Sequence, residues 1–211
     1  MPADFNQAFK IISICSAFVP IISGLRNRKT LLWVYPVAAL ILDIAIQLFK
    51  FKLELPHSGL QNLYLLVEFI LLSFIYKEAV IQAKKVFYNF FIAALVFFAL
   101  TTFPHPNTEF NEAGATLFSF CYIILGIAGL YSILKQQRFL YLEKSWFFWL
   151  NTGIILYASG NFLIFLFADL RHQDRSMFLS LWQIFWVLNI TKNIFLALAL
   201  YWYRKEDEPN R

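Results

Sequence analysis

The stretch FLSLWQIFWVLNITKNIFLALALYWY, residues 178–203, decides the fold. Coiled as an α-helix it measures about 39 Å at ~1.5 Å per residue, more than the ~30 Å hydrocarbon core of a bilayer. Between Phe178 and Tyr203 the only ionisable residue is Lys192, near the midpoint and close to Asn189 and Asn193. An ammonium group at that depth is costly to expose to lipid. It therefore faces protein or enclosed water and marks a candidate functional site.

The rest of the chain has the same solvent. Of its 211 residues 60% are hydrophobic, 19% aromatic and only 15% charged, with a mean hydropathy of +0.60. An ordinary soluble domain is about a quarter charged. The 25 phenylalanines fall in long apolar runs, as expected of an integral membrane protein. The net charge of +5 lies in short segments between those runs, which argues against nucleic acid as a partner. Cys15 and Cys121 both fall within apolar runs and lack metal-type spacing, so they read as packing residues. The N-terminus, MPADFNQAFK, has no basic n-region followed by a cleavage site, so the first run is expected to be a retained helix.

A spanning helix needs about 20 mostly apolar residues. Seven stretches qualify, at about 6–24, 30–50, 58–77, 85–104, 112–134, 145–168 and 178–203. Lipid excludes open sheet edges, and the runs lack barrel-strand alternation. The expectation is an all-α, seven-helix transmembrane bundle, with residues 1–211 as one integral domain. Twelve of the eighteen Lys and Arg residues lie on one side of the alternating segments. The positive-inside bias then puts the N-terminus outside and the C-terminus in the cytoplasm, in the cell membrane of a bacterium. Trp33 and Tyr35, Trp146 and Trp149, and Tyr201 to Tyr203 read as interfacial aromatic belts. Pro20 and Pro36 free helix carbonyls that Ser16 or neighbouring helices can satisfy. Ser119, Gly126 and Gly129 permit close helix approach. No internal repeat supports an inverted-repeat transporter.

Three ionisable residues lie deep in these stretches: Asp43, Glu68 and Lys192. Their depths are similar, so a buried network of two negatives and one positive is geometrically open to them. Tyr64 shares a helix face with Glu68, and Gln47 with Asp43. Trp182, Trp186, Asn189 and Asn193 share a face of the last helix, and Tyr157 and Asn161 share one with Gly153 and Gly160. Together they are candidates for one polar cavity that binds a ligand or an ion. The alternative is a network that only fixes helix packing. His57, His105 and His172 fall in loops on the predicted outer side with Glu54, Glu109, Glu112, Asp169 and Asp174, without metal-ligand spacing, so no metal is expected. Asn189-Ile190-Thr191 matches a glycosylation sequon at a depth where no acceptor works.

NLYLLVEFILLSFIY at 62–76, WLNTGIILYASGNFLIF at 149–165 and LNITKNIFLALAL at 188–200 resemble a group of small seven-helix bacterial membrane proteins. The resemblance implies that the Glu68 and Lys192 neighbourhoods belong to a recurring design. It supplies no substrate. The plan also looks like a retinal protein, with a lysine midway along helix seven and Glu68 placed as a counter-ion. The Asp four residues before that lysine is replaced by Leu188, and the Trp-x-x-Tyr-Pro, Arg-x-x-x-Asp and Asn-Pro-x-x-Tyr patterns are missing. No cofactor is therefore expected.

The leading functional expectation is a receptor-like module. A small molecule or lipid sits near Lys192 and Glu68, and a separate cytoplasmic partner reads the helix movement. Basic inner loops also suit anionic lipid headgroups. The alternative is a transporter or ion pathway relaying through Asp43, Glu68 and Lys192. Most intramembrane enzyme chemistry is disfavoured: no histidine lies in a span and only one aspartate is deep. A lysine nucleophile stays open, as does the oligomeric state.

Overall fold

The computed structural model describes residues 3–51, 57–80, 84–103, 109–136, 142–167 and 175–207. All regular structure there is helical. The elements are α1 (Ala3–Ser16), α2 (Phe18–Ser23), α3 (Leu31–Phe51), α4 (Ser58–Val80), α5 (Lys84–Thr102), α6 (Glu112–Gln136), α7 (Trp146–Leu166) and α8 (Arg175–Asp207), with 3₁₀ turns at Leu25–Asn27 and Leu142–Lys144. Among the described residues, five helices are long and apolar enough to cross a membrane: Leu31–Lys50, Ser58–Lys77, Glu112–Lys135, Trp146–Leu166 and Ser180–Lys205. The other two expected spans are shorter apolar helices, Ala8–Ser23 and Phe87–Thr102. The last helix runs well past the expected 178–203, because the polar tail RKED continues it for another turn. His105, His172, Glu54, Asp169 and Asp174 lie outside the described residues, as do the ends of the expected stretches at 104 and 168.

The break between α1 and α2 has a local cause. The Ala17 N–H bonds the Ile14 carbonyl three residues back, so the Ser13 carbonyl is left over. The Ser16 hydroxyl donates to it at 2.6 Å. Ser16 was expected to serve the carbonyl freed by Pro20; it serves this one instead.

The outside of the bundle is greasy and the inside carries the polar groups, the arrangement a lipid solvent selects. Ile41, Ile92, Leu100, Ile127, Leu134 and Leu163 are exposed, whereas Asn62, Glu68, Asn151, Asn161, Lys192 and Asn193 are buried. A flat aromatic stack joins α4 to α6: the Phe69 and Phe118 rings lie 4.1 Å apart with 3° between their planes. Phe98 of α5 stacks on Phe118 from the other side at 4.9 Å.

The α6–α7–α8 layer is held closer than side chains normally allow. A Cβ on Gly153 would stand 2.6 Å from the Phe195 Cβ, and one on Gly129 would collide with the Asn151 side chain. The expectation that Gly129 and Gly126 permit close approach holds. Gly153 and Gly160, read as part of a cavity wall, meet Phe195 and Leu188 of α8 instead.

At one end of the bundle a buried asparagine organises three helices. Asn111 caps α6 through Oδ1, which accepts from the Gly114 N–H at 2.8 Å. Its Nδ2 donates to the Thr101 and Thr102 hydroxyls of α5. Asn62 of α4 accepts from the Asn111 N–H at 2.9 Å and donates to the Glu109 carbonyl. These bonds satisfy backbone groups that the start of a helix leaves unpaired.

Candidate functional site

Four helices converge on one carboxylate. Glu68, midway along α4, is 4% exposed, and Lys192, midway along α8, is 2% exposed. The Lys192 Nζ stands 3.2 Å from Glu68 Oε1. Tyr35 of α3 donates to the same oxygen at 2.7 Å. Tyr157 of α7 reaches Oε2 at 3.5 Å. The Lys192 ammonium also lies 4.1 Å from the centre of the Tyr157 ring and 5.5 Å from that of Tyr35. Removing two charges from water costs several kcal/mol each. Pairing, the two hydroxyl donors and the two aromatic faces offset that cost. Close approach of α7 to α8 at Gly153, next to the Lys192 carbonyl, lets Tyr157 lie over the ammonium.

A second polar set ties α8 to the first helix. Asn189 Nδ2 donates to Ser13 Oγ at 3.0 Å, and Asn193 Nδ2 to Ser16 Oγ at 2.7 Å. The Ser23 hydroxyl of α2 extends the seam to the Ala197 carbonyl at 2.9 Å. The two asparagines are thus turned toward α1, where each finds a hydroxyl. Spacing along α8 alone does not reveal this, because it names the face but not the neighbour.

Above Glu68 lies a cavity of about 870 Å³. Nine of the expected site residues border it: Asp43, Gln47, Tyr64, Glu68, Tyr157, Asn161, Trp182, Trp186 and Asn189. Lys192 and Asn193 do not. Its walls come from α1, α3, α4, α6, α7 and α8, and its lining extends to Lys50, His57, Glu109 and Phe110. Those residues mark the C-terminal end of α3, the start of α4 and the start of α6, so α3 runs opposite to α4 and α6. Below Glu68 the bundle is closed by packed side chains, among them Leu72, Tyr76, Leu150, Ile154 and Leu200. The cavity therefore approaches the Glu68–Lys192 pair from one end only.

Glu68 and Lys192 are brought into contact. Asp43 borders the cavity without an ion pair to Lys192, and interacts with Lys192 and Glu68 only at longer range. Among the described residues, Gln47 Oε1, Tyr122 OH and Asn161 Oδ1 are buried without a hydrogen-bond partner. All three residues line this cavity.

Sequence reasoning missed Tyr35 as a site residue. Its place near the start of the helix suggested an interfacial belt, yet it is 1% exposed. A buried phenol needs a hydrogen-bond partner, and Glu68 provides one. Ser13 and Tyr122 were missed for a related reason: each is isolated in an apolar run, and only the fold shows what it faces. Among the described residues, no group of three or more His, Cys, Asp or Glu is placed to hold a metal ion.

Comparison with protein-family models, with curated proteins and with solved structures finds no match to this chain.

Proposed function

We propose that this protein is a receptor-like membrane module that binds a small molecule or lipid in the cavity above Glu68 and signals through a separate cytoplasmic partner. In this reading the two shorter apolar helices complete a seven-helix bundle in the cell membrane of a bacterium. The N-terminus and the cavity mouth lie outside, and the basic ends of α4, α6 and α8 face the cytoplasm.

One observation carries the proposal. The 870 Å³ cavity is large enough for a ligand. It ends on a carboxylate that structural elements from four helices hold in place. A ligand against that floor perturbs α3, α4, α7 and α8 together, which is the mechanical requirement for a signal. Transport through Asp43, Glu68 and Lys192 is the runner-up. The packed layer of Leu72, Tyr76 and Leu150 below the pair favours binding over passage. A retinal Schiff base is not part of this reading. The Lys192 ammonium is engaged by Glu68 and the Tyr157 ring and does not border the cavity.

The test is native mass spectrometry of gently purified protein, wild type against Ala115→Phe. Ala115 is buried on the cavity wall, so the larger ring fills the space. A bound molecule in wild type that the filled variant lacks is the expected result. Identical spectra from two equally folded proteins overturn the reading.

A further inference from the structure

We infer that the ligand is an organic cation with N–H donors, an ammonium group whose counter-ion is Asp43. This inference rests on the binding reading above and narrows it to one chemical class.

The argument is an inventory of what the cavity still has to give. The donors nearest Glu68 are engaged, and Tyr122 OH is the one buried hydroxyl of the lining without a partner among the described residues. Tyr35 and Lys192 both donate to Glu68, and the Asn189 amide donates to Ser13. Its acceptors are not consumed. The Asp43 carboxylate makes no ion pair or hydrogen bond with another described residue. Gln47 Oε1, one helical turn further along α3, and Asn161 Oδ1 of α7 are buried and without a partner among the described residues. A carboxylate and two amide oxygens all accept hydrogen bonds. A protonated primary or secondary amine supplies the missing N–H groups.

Charge selects the same class. Glu68 is ion-paired with Lys192, whereas Asp43 feels Lys192 and Lys10 only at longer range and has no salt-bridge partner among the described residues. A carboxylate or phosphate ligand would meet two carboxylates, Asp43 and Glu68, with Tyr122 OH as the buried hydroxyl left to receive it. The rings of Tyr64, Tyr122 and Tyr157 stand around the same space and favour a cation over their faces. Nearer the mouth the lining carries Lys10 and Lys50 as well as Glu109 and Glu112, and Lys10 also acts on Asp43, so the entrance presents both signs. Between mouth and floor, Trp182, Phe185 and Phe165 offer an apolar wall. The ligand is accordingly an amphipathic amine, its cation at Asp43 and its body against the aromatics.

The test uses the full chain in phosphatidylcholine nanodiscs and three matched probes: 4-phenylbutylammonium, 4-phenylbutyrate and 4-phenylbutanol, titrated by calorimetry. The ammonium is expected to bind at least ten-fold tighter than either of the others. Asp43→Asn is expected to abolish that preference and Asp43→Glu to keep it. If Asp43→Asn does not fold, the ranking of the three probes on wild type still decides. Equal or tighter binding of the carboxylate or alcohol overturns the ammonium assignment while leaving a binding cavity. No binding of any probe also overturns the assignment, and the mass-spectrometric comparison then shows independently whether the cavity binds something else. Repeating the titration with phosphatidylethanolamine in the nanodisc separates two sources of the same chemistry. A ten-fold or greater loss of probe affinity identifies a lipid headgroup, an unchanged constant identifies a soluble amine, and both support an ammonium ligand.

Discussion

The shortest bond to Glu68 comes from Tyr35, not from Lys192: 2.7 Å against 3.2 Å to the same carboxylate oxygen. The carboxylate is thus held primarily by a neutral donor on α3, with the lysine as its charge partner. A hydrogen bond to a charged group contributes roughly 1.5–3 kcal/mol. Tyr35→Phe is therefore expected to lower stability by that order. Tyr157→Phe, which loses only a 3.5 Å contact, is expected to cost clearly less. Unfolding midpoints of the two variants in one detergent give the order, and a reversed order would mean that Tyr157 is the main support.

Breaking the buried pair from one side leaves an uncompensated charge, which costs about 3–5 kcal/mol. Lys192→Met is expected to destabilise by that order. Adding Glu68→Gln removes the stranded charge, so the double variant is expected to recover most of the loss. A double-mutant cycle measures the coupling. Additive losses would show that the two residues do not act as a pair.

Two glycines on α7 face α8, yet they should not respond alike. A methyl at Gly153 meets the Cβ of Phe195, which no rotamer change can move, whereas at Gly160 it meets the branched end of Leu188. Gly153→Ala is expected to cost about 1–3 kcal/mol by overpacking. Gly160→Ala is expected to be milder, because Leu188 can turn aside. Thermal melts of both proteins check this, with equal losses counting against the stated geometry.

The proposed sidedness is open to chemical labelling. In a Cys15→Ala background Cys121 stays buried, so single cysteines report their own position. His57→Cys at the cavity mouth is expected to react with an impermeant maleimide on intact cells. Lys205→Cys near the end of α8 is expected to react only after the membrane is opened. The opposite pattern inverts the topology and puts the mouth in the cytoplasm.

The helical class, the helices long and apolar enough to cross a membrane, and the burial of Glu68 and Lys192 were legible in the sequence. Each follows from local composition: a run of about 20 apolar residues has one stable answer in lipid, and a charge within it must turn inward. The two shorter apolar helices, Ala8–Ser23 and Phe87–Thr102, were read as spans like the others, and hydropathy did not register the break at Ala17 that divides the first of them. Partners were not legible. Tyr35 looked interfacial by position, Asn189 and Asn193 looked like companions of Lys192, and Asp43 looked like the third member of one charge network. Which side chains touch depends on how helices rotate and cross, and that is set by small contacts such as Gly153 against Phe195 and Gly129 against Asn151. Composition along one helix determined that a charge must be buried here. Only the packing of the other helices decided that Tyr35 would meet it and that Asp43 would face a cavity.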